Sequence, residues 1–437
     1  MQPRIHPFSY ATRRMLAALF VVMAPACARR HAPETEADSV ESPYRILLVG
    51  DPFALAMERA RPVLENQVEG KILFETVGYN DGRRLALLNA RDRVSQFDLV
   101  AYDIVWLGEF VQNRVLLDLT PSFAPHADRF LSAPLEGCRV GNHLYGLPIQ
   151  PHAELLWIRS DLFAEHNLSP PRTTDELLAA ARQLHNPTAG MYGLAWNAQR
   201  GQPLGQSMAH FFAAFGQPLL DDRGLPAFDT ERGLQAARFA LNLMDVSPPD
   251  ILNMAWDQRT SRFASGQVAM TYGWAARARA TEFGAASQVT GKVHYLPAPH
   301  APGVEPVTPL GVWALGVPAN VRSPERSIRL LQRIMDEEAQ RKIHAQGNTT
   351  PPLVSLFQDP EVQAHLPAFR TLGEINQRGE LRMEMRPRIP QWDALCGILG
   401  HEFHDMLSGR TSPEEALRRA QASADDLFSQ SPAVLTP

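Results

Sequence analysis

The alternation that begins at residue 44 constrains this chain more than any other feature. Tyr44-Arg45-Ile46-Leu47-Leu48-Val49-Gly50 is a short apolar run closed by glycine, the form of a strand buried on both faces. An amphipathic stretch from Ala54 to Glu65 follows. A second strand over Lys71 to Val77, a helix over Arg84 to Asp92 and a third strand over Phe97 to Tyr102 come next. Strand–helix–strand units at this spacing predict an α/β fold with a largely parallel sheet. Beyond Trp157 the pattern predicts helices from Thr174 to Leu184, Gln206 to Phe215, Thr230 to Met244 and Asp257 to Phe263. Strand-like segments return from Val268 to Thr271, Val293 to Leu296 and Gly311 to Val317. Helices are expected again from Pro324 to His344, Trp392 to Met406 and Pro413 to Leu427. At 437 residues the chain suits two lobes with separate cores. No fixed-period repeat suggests a solenoid or propeller.

The start of the chain reads as an address. Arg13 and Arg14 precede an apolar run from Met15 to Met23, followed by Ala24-Pro25-Ala26-Cys27. A basic segment, a short apolar run and small residues describe a secretory signal, and the run is about half the roughly 20 residues of a spanning helix. The cysteine after small residues points to a lipoprotein signal with lipid on Cys27, although Ala24 stands where such signals usually have Leu or Val. Plain cleavage nearby is the alternative, and Thr12-Arg13-Arg14-Met15-Leu16 also has a twin-arginine look. The polar stretch from Ala28 to Pro43 reads as a flexible tether. Cys138 and Cys396 are expected as two buried free thiols, because the pair lies so far apart in sequence.

Composition removes several function classes. With 42 basic and 47 acidic residues, a formal charge of −5, there is no basic field for nucleic acid. The three cysteines match no zinc or redox spacing. G-x-S-x-G, H-E-x-x-H and the phosphate-binding loop ending in Lys-Ser/Thr are all absent. His401 and His404 lie three apart on a predicted helix, but no further cluster joins them, so a surface helix is the better reading than a metal site. A glycosidase needs two carboxylates across a cleft, a demand too easily met by chance here to identify one.

Several segments carry a family likeness in order along the chain. Phe97-Asp98-Leu99-Val100-Ala101-Tyr102-Asp103-Ile104-Val105-Trp106 leads to Phe110 and Leu116-Leu117-Asp118-Leu119. Gly141-Asn142-His143-Leu144-Tyr145-Gly146-Leu147-Pro148 precedes Leu155-Leu156-Trp157-Ile158-Arg159-Ser160-Asp161-Leu162-Phe163. Later come Phe263-Ala264-Ser265-Gly266-Gln267-Val268-Ala269-Met270, Leu310-Gly311-Val312-Trp313-Ala314-Leu315-Gly316 and Ser412-Pro413-Glu414-Glu415-Ala416-Leu417. Together, from about residue 44 to the end, they resemble the extracellular solute-binding proteins of ABC importers, in the sugar-binding, maltose-binding-protein-like group. The resemblance implies two α/β lobes joined by crossing segments, with ligand in the cleft and closure by hinge motion. Lobe 1 is expected over 44–152 and 297–352, and lobe 2 over 153–296 and 353–437. It also implies a monomer without cofactor, no covalent chemistry, and partners in a permease and its ATPase.

A sugar presents hydroxyl edges and apolar C–H faces, so its site needs an aromatic platform and a few polar groups. The candidates are Trp274, Trp313, Trp106 and Trp196, each with a core role as its alternative, while Trp157 reads as core. Asp103 closes a buried strand where open sheets place ligands, or caps the next helix. His152 stands in the first crossing segment, either donating to a ligand or solvating the hinge. Arg388 is the candidate from Arg386-Pro387-Arg388, with Gln150 and Asn197 weaker. Two arginines there leave open a phosphate or carboxylate ligand. Glycerol phosphate, a polyamine, or a scaffold without transport role are the alternatives to a sugar receptor.

Overall fold

A computed structural model describes residues 42–430 except 348, 365, 366 and 384. The expected export signal, the expected lipid site Cys27 and the expected tether up to residue 41 lie outside the described residues. Eleven strands run in chain order: β1 Tyr44–Val49, β2 Ile72–Val77, β3 Leu99–Asp103, the short pair β4 Arg139–Val140 and β5 His143–Leu144, β6 Leu147–Arg159, β7 Tyr192–Ala195, β8 Val268–Trp274, β9 Val293–Leu296, β10 Thr308–Gly316 and β11 Leu381–Arg382. Nine of them form one sheet in the order β2-β1-β3-β10-β6-β8-β7, with β11 on β10 and β9 on β6.

The unbroken apolar run Ile46–Val49 is buried because β1 lies between β2 and β3, parallel to both, with helices over the sheet. Pro52 opens the following helix, Pro52–Val68, at a position where its missing N–H costs nothing. Thr173 and Glu176 form a reciprocal capping box that starts the helix Thr174–Leu184 where the sequence predicts it.

Strand β6 organises the rest. All 13 of its residues are buried. Its first part, through Ala153, pairs antiparallel with β10; from Glu154 onward it pairs with β8 and β9. The strand therefore changes partners between Ala153 and Glu154, inside the expected first crossing segment. Near that change the register of β10 slips between Trp313 and Ala314, which face Gln150 and Pro148 and leave Ile149 unopposed. A bulge of this kind re-aims side chains. Gly311 faces His152 across the same pair, and a methyl group there would collide with the imidazole.

Two expectations differ in detail. The helix predicted from Pro324 to His344 is two, Pro324–Ile334 and Glu337–Gly347. The Gln340 side chain donates to the Ile334 carbonyl at 2.8 Å and so satisfies the first helix's end in place of a further turn. The helix predicted from Arg84 spans Tyr79–Asn89, starting directly after Gly78 at the end of β2. Cys138 and Cys396 are both free and buried.

Candidate functional site

The parallel strands β1, β2 and β3 end at the same edge of the sheet, where α/β folds place ligands. Asp51, Tyr79 and Asp103 stand at those ends. Trp313 on β10 stands beside Asp103 on β3, with His152 on β6 and Trp274 at the end of β8 on the strands beyond. Gln206, Trp256, Asp257 and Arg277 complete the far wall, and Arg386 enters from the C-terminal segment. These side chains line a cavity of about 270 Å³.

Its charges are paired with one another. Asp103 Oδ2 accepts from Arg386 at 2.7 Å and from the Tyr79 hydroxyl at 2.9 Å. Burial, together with the Asp103 anion, holds the Tyr79 phenol far above its ordinary range, so it stays a donor. Arg277 bridges Asp51 at 3.0 Å and also pairs with Asp257. Burial works against the Arg277 cation, but the two carboxylates outweigh it and the net shift is upward. Asp51 moves the other way for an anion: burial pushes its carboxyl up against the opposing pull of Arg277.

Spare hydrogen-bonding capacity remains. Asp103 Oδ1 and Arg386 Nε are buried without a partner; so are both amide atoms of Gln150, but that side chain lies outside the lining. His152 Nδ1 lies 3.1 Å from the Gln150 carbonyl. A carbonyl only accepts, so Nδ1 carries the proton and Nε2 is left as an acceptor. Burial and the nearby Arg386 guanidinium push the imidazole down to about 4, so it is neutral at pH 7. The walls are aromatic. Trp274 lies edge-on to His152 at 4.9 Å and under the Arg386 guanidinium at 5.1 Å. Tyr79 packs against Trp256 at 5.8 Å and Trp313 at 6.0 Å.

Of the candidates read from sequence, Asp103, His152, Trp274 and Trp313 meet in this cavity. Trp106 lies behind the wall, against Tyr79 at 4.8 Å and Trp313 at 5.9 Å. Trp196 needs correction: it is fully buried, its indole donates to Ser247 at 3.0 Å and its ring packs on Phe211. Arg388 also needs correction, because its guanidinium is held by the carbonyls of Glu136 and Arg139, away from the cavity. The neighbouring Arg386 is the one that reaches it. Asn197 is buried and outside the lining, and Trp157 is core. The strand-end rule that selected Asp103 applies equally to Asp51 and Tyr79, so those two were within reach of the sequence. Trp256, Gln206 and Arg277 carried no such signal. His401 is exposed and bonds to the Gly397 carbonyl of its own helix.

This paired-charge, aromatic-walled cavity at the strand ends is the candidate site for a small solute. Residues 66–340 match the family described as bacterial extracellular solute-binding protein, and the chain belongs to that family. It is 24% identical over 348 residues to a probable ABC transporter-binding protein of Deinococcus radiodurans, spanning 77% of this chain and 81% of that one. It is 25% identical over 352 residues to a mannitol-binding protein of Pseudomonas aeruginosa, spanning 75% and 79% respectively. The structure of an ABC transporter solute-binding protein from Agrobacterium radiobacter K84 in complex with ribitol superposes with a TM-score of 0.84 at 25% identity. That superposition covers 89% of this chain and all of the other. The fold is thus the two-lobed α/β architecture of ABC-transporter substrate-binding proteins, which bind solutes and are not enzymes. Among the described residues no helix is long and apolar enough to cross a membrane.

Proposed function

We propose that this protein captures a small neutral carbohydrate or sugar alcohol in the cavity between its two lobes and delivers it to a membrane permease with its ATPase. On this reading the lobes meet along β6, and closure brings Asp51, Tyr79, Asp103 and Trp313 against Trp256, Trp274 and Arg277. The observation that carries the proposal is the combination inside one cavity of tryptophan faces with a carboxylate and a guanidinium already paired, yet each keeping a free hydrogen-bonding atom. Paired charges suit neutral hydroxyls: a diol can hydrogen-bond to the Asp103–Arg386 pair, while its C–H face stacks on Trp274 or Trp313. A phosphate or carboxylate finds no guanidinium in the lining without a carboxylate partner. The volume is near the lower end of the ~300–1,000 Å³ common for ligand pockets, which favours a monosaccharide or pentitol-to-hexitol chain over a long oligosaccharide. The mannitol- and ribitol-binding relatives support the same class. The export signal and lipid site read from the sequence would make it a lipid-anchored or periplasmic receptor, and on this reading it acts as a monomer.

Thermal unfolding against pentitols, hexitols, mono- and disaccharides, glycerol phosphates and polyamines tests the reading. At about 1,000 times its dissociation constant a ligand adds ~4 kcal/mol. A selective rise with a polyol or monosaccharide is expected, lost in Trp274→Ala. A rise only with phosphorylated or amine compounds discards the carbohydrate.

A further inference from the structure

A second cavity, of about 530 Å³, adjoins the polar one and shares Asp257, Ala276 and Arg277 with it. It is larger, and its walls carry exposed apolar side chains. Pro52 and Leu55, on the helix after β1, line it, as do Ala264, at the end of the helix before β8, and Ala280 and Phe283, beyond β8. Leu55 is 53% and Phe283 50% exposed, two of the six large hydrophobic side chains left exposed among the described residues. Scattered exposed hydrophobics are ordinary, whereas a pair lining one concave space calls for an occupant. The rest of the lining includes Arg59, Thr260, Ser261, Ser265, Arg279 and Ser287, so the apolar surface is one part of the wall.

We propose that this apolar cavity is a second compartment of the same binding site, taking an alkyl or aryl substituent carried by the polyhydroxylated solute. The inference rests on the reading that the polar cavity holds such a solute. The shared wall supplies the argument for continuity. Arg277 divides the compartments, clamped by Asp51 on one side and Asp257 on the other. The Asp257 side chain is 82% exposed, so that half of the clamp gives way to a linking atom at little electrostatic cost. A substituent placed there touches both Leu55 and Phe283, and therefore strengthens the same closure as the sugar end.

The test is calorimetric titration of the full chain with matched methyl and phenyl glycosides of common hexoses. Wild type is compared with a Leu55→Ser/Phe283→Ser double variant, whose side chains are exposed enough to leave melting little changed. The phenyl member should bind about tenfold tighter or more, from the apolar area it buries. That advantage should vanish in the double variant while methyl-glycoside affinity holds. A phenyl glycoside no tighter than a methyl glycoside that does bind, or an advantage that survives the double variant, overturns the compartment and leaves the carbohydrate reading standing. If no glycoside binds, the carbohydrate reading is decided separately by the polyol and sugar melting panel above, and the fluorescence of 1-anilinonaphthalene-8-sulfonate decides the compartment. Enhancement lost in the double variant supports it; enhancement equal in both proteins, or absent from both, overturns it.

Discussion

Two buried carboxylate–guanidinium clusters lie close together in the fold and do different work. Asp103 pairs with Arg386 at 2.7 Å, helped by Tyr79. Glu154, just past the point where β6 changes partners, pairs with Arg259 at 2.5 Å and lies 3.4 Å from His210 Nδ1. Both leave polar atoms unpartnered: Asp103 Oδ1 and Arg386 Nε in the first, Arg259 Nε and His210 Nε2 in the second. Only the first faces the tryptophan-lined cavity; Glu154, Arg259 and His210 are outside its lining. His210 instead packs on Tyr272 at 5.0 Å and Phe211 at 6.0 Å. Orphaned polar atoms therefore do not mark a binding site by themselves. What sets the first cluster apart is that its residues line a tryptophan-walled cavity.

Removing one partner from each cluster should separate stability from affinity. Glu154→Ala strands Arg259 as an uncompensated buried charge, and breaking such a pair costs about 3–5 kcal/mol. Urea unfolding should show that loss, while the folded fraction binds solute within a few-fold of wild type. An affinity loss with unchanged stability would assign Glu154 to the site and dissolve the contrast.

Acid unfolding should distinguish the clusters by pH window. His152, beside the first cluster, is pushed from 6.5 down to about 4 by burial and by Arg386. The unfolded chain takes up that proton below 6.5 and the folded one only near 4, so stability is full above 6.5 and falls as pH drops toward 4. The loss is about 3 kcal/mol at most. Glu154 is held down to about 2 from 4.5, because Arg259 and His210 outweigh the opposing effect of burial. Its contribution is present above 4.5 and is lost as pH falls through 2. His152→Gln should therefore flatten the upper window and leave the lower one in place.

How much of this was legible in the sequence follows from the physics of each feature. The apolar runs of β1 and β3 and the capping box at Thr173 are local signals, and they place their elements to within a few residues. Asp103 was found because a strand end has a fixed meaning in an α/β sheet. Trp274 and Trp313 were selected as candidates because the resemblance places them beside the cleft. Arg386 and Arg388 differ only in direction, and in an irregular segment no period says which one points inward. Trp196 follows a strand like a site residue, but Ser247, 51 positions away, captures its indole. Arg277 acts through partners on two distant elements, so nothing near it in sequence announces its role.

Smaller effects are expected within the cavity itself. Asp103→Asn keeps the shape but removes the charge on the acceptor left free for the solute. Loss of a charge-assisted hydrogen bond is worth about 1.5–3 kcal/mol, or roughly 10- to 150-fold in affinity. Calorimetry on this variant, set beside Glu154→Ala, measures the contrast from the affinity side. Equal affinities for wild type and Asp103→Asn would place the solute elsewhere.

Arg277→Gln should have the mildest effect of the set, and it addresses how the walls are held together. Arg277 ties the end of β1, through Asp51, to the helix Trp256–Ala264, through Asp257, so it spans the cavity without belonging to either charge cluster. Its side chain is 19% exposed and that of Asp51 12%. The pair is therefore worth more than a surface bridge, yet only about 1 kcal/mol once desolvation is counted. If closure around the solute is the binding event, the variant should bind about fivefold more weakly, with the change in dissociation rate. Wild-type affinity should also fall with added salt more steeply than the variant's. A variant with unchanged dissociation would mean that the solute alone draws the walls together, and the weight of closure would then rest on Asp103, Arg386 and the tryptophans.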